Sequence, residues 1–141
     1  MIIFDIDGTL SQVGDRLRYL KKTPKDWDKF YTSCNEDKVN LPIAHLYKVI
    51  HLVNKIKVVT GRRESTRKTT LDWFEQNNLP LLSKDLLMRA DDDYRADVLV
   101  KHELCKGFMD RITTVFEDRD CMVDYWRHKG VVCLQVAYGD F

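Results

Sequence analysis

Short runs of β-forming apolar residues alternate with helix-patterned stretches along the whole sequence, and this alternation limits the fold more than any other feature. Ile2-Ile3-Phe4, Ile56-Lys57-Val58-Val59, Leu86-Leu87-Met88, Thr113 to Phe116 and Val131 to Val136 read as strands. Leu41-Pro42 opens a helix with Ile43, Leu46, Tyr47, Ile50 and Val53 on one stripe. A second helix, from about Glu64 to near Asn77-Asn78, buries Leu71, Phe74 and Trp73. A third, over Ala96 to about Asp110, carries Val98, Leu99, Leu104 and Phe108. The last runs from about Asp120 to Lys129 and stops at Gly130, a C′ residue. Strands that alternate with helices in this way form an α/β fold with a parallel sheet and right-handed crossovers.

Residues 11–40 break the pattern. Within the charged stretch, Thr23-Pro24 reads as an N-cap and first helical position, giving a short helix through about Ser33. Trp27, Phe30 and Tyr31 fall near one face of it, which either covers the core or rims a site. The stretch is too short for a separate cap domain. The expectation is a single domain over 1–141, with 11–40 a small insertion that leaves the site open to large substrates. A chain of 141 residues, 44% apolar and 32% charged, has the balance of one ordinary globular domain. A net charge of +1 gives no general pull on nucleic acid. Cys34, Cys105, Cys121 and Cys133 form no C-x-x-C, which favours free thiols over a zinc site. No stretch has the length of a membrane span and the acidic start argues against a signal peptide, so a cytoplasmic location is expected.

The first strand ends in Asp5-Ile6-Asp7-Gly8-Thr9-Leu10. Ligands of open α/β sheets bind at the carboxyl ends of strands, and two carboxylates there require a cation or proton between them. Gly8 and Thr9 supply a turn whose N–H groups can face an anion. Three later positions carry complementary groups. Thr60 offers a hydroxyl at the end of the second strand, and Gly61 lets a helix start behind it with oriented N–H groups. Lys101 supplies an ammonium able to neutralise nucleophile and phosphate together. Glu117-Asp118 adds carboxylate oxygens at the fourth strand end. Each alone is a commonplace; together, in order, they suit phosphate chemistry with a hard divalent metal.

The string DIDGTL, with Thr60, Lys101 and Glu117/Asp118, resembles the four motifs of the haloacid dehalogenase-type phosphatases. The resemblance implies a Rossmann-like parallel sheet of about five strands flanked by helices, with a small helical cap insertion. It also implies Mg²⁺ as cofactor, held by Asp5, the Asp7 backbone carbonyl and Asp118, with Glu117 acting through water or behind the ligands. Asp5 would attack phosphorus to form an aspartyl-phosphate, and Asp7 would serve as general acid and base. Thr60 and Lys101 would hold the transferring phosphoryl group.

A closer resemblance, over nearly the whole chain, is to the 3′-phosphatase domain of phage polynucleotide kinases. It is carried by Arg16, Arg62, Asp97 four before Lys101, Met88-Arg89, Tyr125-Trp126-Arg127, Gly130 and the closing Gln135 to Phe141. It implies that Arg16 and Arg62 contact the substrate phosphate and that Asp97 orients Lys101 or an arginine. Glu117 departs from the family's aspartate, and the absence of a G-x-x-x-x-G-K-[ST] loop leads us to expect no kinase half. The expected substrate is a 3′-phosphorylated nucleic-acid end or nucleotide. Alternatives are a nucleoside 5′-monophosphatase, an inactive binding module or the partner of a separate kinase; self-association stays open. A basic surface of Arg16, Arg18, Lys21, Lys22 and Arg62 would favour polynucleotide, and a closed aromatic pocket of Trp27, Phe30 and Tyr31 free nucleotide.

Overall fold

Successive residues on the central strands point into two separate apolar cores, as the period of two requires. Ile3, Val59 and Val115 enter one core with Met122, Val123 and Trp126. Phe4, Val58 and Phe116 enter the other with Tyr47, Trp73 and Phe74. The computed structural model describes residues 1–139. Its main sheet has five parallel strands: β1 (Ile2–Phe4), β4 (Ile56–Arg63), β5 (Leu86–Arg89), β6 (Thr114–Arg119) and β7 (Val132–Gly139), in the order β5-β4-β1-β6-β7. The chain builds outward from β1 on one side and then crosses to the other. That reversal opens a crevice at the carboxyl end of β1. Helices α3 (Leu41–His51) and α4 (Arg67–Gln76) contribute to the Phe4 core; α5 (Asp97–Cys105) and α6 (Asp120–His128) contribute to the Ile3 core.

The expected elements are present, with informative changes of length. Strands β4 and β6 run on through Thr60-Gly61-Arg62-Arg63 and Glu117-Asp118-Arg119 instead of stopping before them. Their ladders resume past register shifts, with Arg63 opposite Arg89 and Arg119 opposite Gly139. Both shifts fall where functional side chains project, a common place for bulges. Strand β7 likewise takes in Ala137 to Gly139, while Asp140 and Phe141 of the family-like terminus lie outside the described residues. Helix α5 ends at Cys105, and a 3₁₀ segment covers Lys106–Arg111. Helix α3 is rotated from the expected stripe. It buries Ala44 and Tyr47, with Ile43 and Ile50 packed at the edge of that core, while Leu46 faces outward and Val53 lies exposed beyond the helix end, because Tyr47 must reach Phe4 and donate its hydroxyl to the Pro80 carbonyl (2.8 Å).

Residues 11–40 leave and rejoin the fold at neighbouring points. Strands β2 (Ser11–Gln12) and β3 (Lys38–Val39) pair antiparallel, and Asn40 N–H donates to the Leu10 carbonyl (2.8 Å). Between them lie α1 (Leu17–Leu20) and α2 (Trp27–Thr32). Helix α2 starts three residues later than Pro24 suggests, because Asp26 is its N-cap and accepts from Lys29 N–H (3.1 Å).

Phe116→Ala, which removes the ring stacked 4.3 Å from Phe4, should cost about 3–5 kcal/mol in urea unfolding. Val53→Ser, exposed in the turn after α3, should stay within about 0.5 kcal/mol of wild type.

Candidate active site

Parallel pairing of β1 with β6 puts Phe4 opposite Phe116, so the next residues out, Asp5 and Glu117, emerge side by side. Asp5 N–H donates to the Phe116 carbonyl (3.0 Å), which locks this register. Both carboxylates are buried, and one ammonium serves both: Lys101 Nζ lies 2.6 Å from Asp5 Oδ1 and 2.8 Å from Glu117 Oε2. Lys101 reaches them from α5. Burial opposes its charge, but Asp5 and then Glu117 outweigh that and hold it protonated.

The third carboxylate, Asp118, is buried with neither oxygen hydrogen-bonded. Oxygens of Asp5, Glu117 and Asp118 lie within 4.8 Å of one another. Its surroundings are cut to fit: a Cβ on Gly8 would stand 2.1 Å from Asp118 Oδ2, and one on Gly139 2.0 Å. Gly8 also has φ +90°, a conformation that side chains rarely adopt. Burial first, and Glu117 second, push the Asp118 carboxyl up to about 7. Burial and Glu117 likewise raise Asp5, against Lys101. Three carboxylates facing one lysine leave an excess of negative charge among oxygen ligands, which suits a hard divalent cation.

Asp7 lies apart from this cluster. Arg62 grips it through Nε (3.1 and 3.2 Å) and Nη2 (2.6 Å), and Arg16 Nη2 adds a bond of 2.7 Å. Burial alone would raise the Asp7 carboxyl; Arg62 and Arg16 outweigh it and hold it well below the ordinary range. Behind them sits buried Asp37, which accepts from Arg16 Nε (2.6 Å), Arg16 Nη2 and Arg62 Nη2 (3.3 Å). Ser11 donates to both Asp7 (3.2 Å) and Asp37 (3.1 Å). Trp73 Nε1 donates to the Asp37 carbonyl (2.8 Å), tying the insertion to α4.

Several expected details take another form. The Gly8 and Thr9 N–H groups face no anion, because they close the turn on the Ser11 and Ile6 carbonyls (2.9 and 3.1 Å). No helix begins directly behind Gly61, since β4 continues and α4 starts at Arg67. Gly61 is needed for space: a Cβ there would stand 2.6 Å from Asp97 Oδ1. Arg16 and Arg62 are buried ion-pair members, so they do not belong to a basic surface. Asp97 engages arginines, accepting from Arg89 (2.8 Å) and Arg119 (3.0 Å). Its burial raises the carboxyl, but Lys101, Arg119 and Arg89 pull it below the ordinary range. Asp37, Arg63, Arg89 and Arg119 receive no site role from sequence alone, although Met88-Arg89 is among the residues that carry the resemblance. The last three stand at strand ends, the same signal that marks Thr60 and Asp118; Asp37 follows a 3₁₀ turn and carries no local signal.

A cavity of about 400 Å³ opens over Asp5, Asp7 and Thr60. Gly61, Asp97, Arg89 and Arg119 line one side, and Leu20, Trp27, Phe30 and Tyr31 of the insertion another. Asp5 forms its floor, with Lys101, Glu117 and Asp118 buried against it.

A parallel sheet of this order, with its carboxylates and lysine converging at the end of β1, defines a hydrolase of the haloacid dehalogenase type. The chain belongs to the polynucleotide kinase PNKP phosphatase domain family, whose profile matches residues 1–141. Chains of two structures of a Pnkp1/Rnl/Hen1 complex superpose with TM-scores of 0.82 and 0.84 at 30% identity over 99% of this chain. A protein of Autographa californica nuclear polyhedrosis virus, assigned as a bifunctional polynucleotide kinase/RNA ligase, is 26% identical over 131 residues, 89% of this chain. The class C acid phosphatase of Bacillus anthracis shares the fold, with a TM-score of 0.66 at 16% identity over 84% of this chain and 50% of that one. The chain spans 17% of the viral relative and 46% and 43% of the two complex chains.

Asp118→Asn removes one charge from the buried cluster and should stabilise the metal-free protein by about 1–3 kcal/mol. Titration with Mg²⁺ should raise the melting temperature of the wild type and leave that of Asp118→Asn unchanged. Asp37→Ala leaves two buried guanidiniums to share Asp7 and should cost about 3–5 kcal/mol by denaturant unfolding.

Proposed function

We propose that the chain is a Mg²⁺-dependent phosphomonoesterase that removes 3′-phosphates from nucleic-acid ends or nucleotides through an aspartyl-phosphate. The observation that carries the reaction is the pairing of Asp5 with Lys101 at the floor of a cavity, beside a carboxylate whose two buried oxygens have no hydrogen-bond partner. The family match, together with the kinase/ligase assignment of the viral relative, supports a polynucleotide end as substrate.

In this reading Asp5, Asp118 and the Asp7 carbonyl would hold Mg²⁺, with Glu117 alongside. Once bound, the ion would offset charge on the attacking and phosphoryl oxygens. Lys101 holds Asp5 in place and favours its ionised form against burial and Glu117, so that its free oxygen attacks phosphorus in line with the leaving alcohol. The Thr60 hydroxyl, which faces the cavity and accepts from Arg62 N–H (3.2 Å), donates to a phosphoryl oxygen. Gly61 lets the substrate approach the backbone, and Asp97 holds Arg89 and Arg119 at the phosphate.

Asp7 serves as general acid and base. Clasped by Arg16 and Arg62 it is ionised, and because neither guanidinium lines the cavity, the proton it needs as the acid arrives through the cavity from solvent or with a singly protonated phosphate ester. Proton delivery to the leaving oxygen follows, and the resulting carboxylate takes the proton of the hydrolytic water.

A nucleoside 5′-monophosphate is the rival substrate, favoured by a cavity of about 400 Å³ with an aromatic wall, a size suited to one small ligand. Phosphate release from a 3′-phosphorylated oligonucleotide, a nucleoside 3′-monophosphate and a nucleoside 5′-monophosphate, with and without Mg²⁺, separates the two. We expect release from the 3′-phosphates, dependence on Mg²⁺, and a loss of at least about 10³-fold in Asp5→Asn. Asp7→Asn should lose about 10²- to 10⁴-fold. Faster release from the 5′-monophosphate would overturn the 3′ assignment.

A further inference from the structure

The cavity wall opposite the carboxylates has no role in the phosphoryl chemistry, and it is built from rings. Trp27 and Tyr31 lie nearly parallel, 24° apart with centroids 6.0 Å apart. The Arg63 guanidinium sits over Tyr31 (5.2 Å) and also over Tyr94 (5.8 Å), bridging the insertion and the loop after β5. Trp27 is 41% exposed and Tyr94 81%, so both rings at the cavity present surface to solvent. Lys25, itself exposed, is the one cation over the Trp27 ring among the described residues, at 5.5 Å, and a flat ligand can displace it.

These rings are not loosely hung. Phe30 is buried under the Arg16 guanidinium (4.5 Å), whose Nη1 donates to the Phe30 carbonyl (2.8 Å). Arg16 is the same residue that clasps Asp7. The aromatic wall and the proposed general acid are therefore positioned by one buried side chain.

We propose that this wall is a nucleobase subsite: the base next to the scissile phosphate stacks against the rings of Trp27 and Tyr31, with the Arg63 guanidinium, seated over Tyr31 and paired with Asp28 (3.3 Å), at its edge. The subsite rests on the phosphomonoesterase reading for the place of the phosphate. Rings and a guanidinium plane recognise the π-face that every base has, so binding is tolerant of sequence. Exposed Lys21, Lys22, Lys25 and Lys29 flank the wall and give the preceding phosphates a cationic path.

The test compares two oligonucleotides that differ only in whether the 3′-phosphorylated terminal residue carries its base or is abasic. Wild type should show a kcat/KM about 5- to 100-fold higher on the intact end, carried mostly by KM. Trp27→Ala should lose that preference, while Trp27→Phe keeps most of it. An equal loss on both ends, or no loss on either, overturns the subsite. A second measurement does not depend on turnover. In Asp5→Asn, tryptophan fluorescence is titrated with adenosine 3′-monophosphate, adenosine 5′-monophosphate and the corresponding ribose phosphates. Trp73 and Trp126 are fully buried, so Trp27 should report a stacked base. Quenching by the nucleotides at least 5-fold tighter than any ribose phosphate response supports the subsite even if the 3′-phosphatase reading fails. Nucleotides that bind no better than ribose phosphates sink it even if that reading stands.

Discussion

Three buried carboxylates share one ammonium at the end of β1 and β6, and most of the molecule's functional geometry follows from that imbalance. Lys101 neutralises part of the charge on Asp5 and Glu117, while Asp118 is left without a hydrogen-bond partner. In a low dielectric such a cluster is tolerable only if a cation completes it or protons are taken up. The fold supplies the confinement: parallel register sets Asp5 beside Glu117, and Gly8 and Gly139 leave no room except for the Asp118 carboxylate between them.

A second, oppositely balanced network stands next to it. Arg16 and Arg62 meet Asp7 and Asp37, two cations with two anions, so this group is closed on itself. It draws Arg16 from the insertion's start, Asp37 from its end, Arg62 from β4 and Asp7 from the loop after β1. The insertion is thereby fixed over the site although its helices are short, and the aromatic wall it carries is held at a set distance from Asp5. The open cluster carries an excess of negative charge, and the closed one is balanced.

Much of this could be read from the chain alone. The order of strands and helices, the strand-end positions of Asp5, Thr60 and Asp118, and Lys101 on its helix all follow from local patterning, because each is set by residues close in sequence. The misread details share a cause. Gly8 and Thr9 form a turn that satisfies itself, β4 runs past Gly61 because β5 offers it a partner, and α3 turns to seat Tyr47 against Phe4. In each case a distant neighbour decided which of several local options won.

Sequence by itself determined the α/β class, the parallel sheet and the residue types that meet at its carboxyl edge, since alternation of apolar runs and helical periods admits few other folds. Only the tertiary structure decided which charges pair. Asp37 carries no local mark, yet it holds both arginines, because a buried guanidinium takes whichever carboxylate the packing brings within reach and leaves none unpaired.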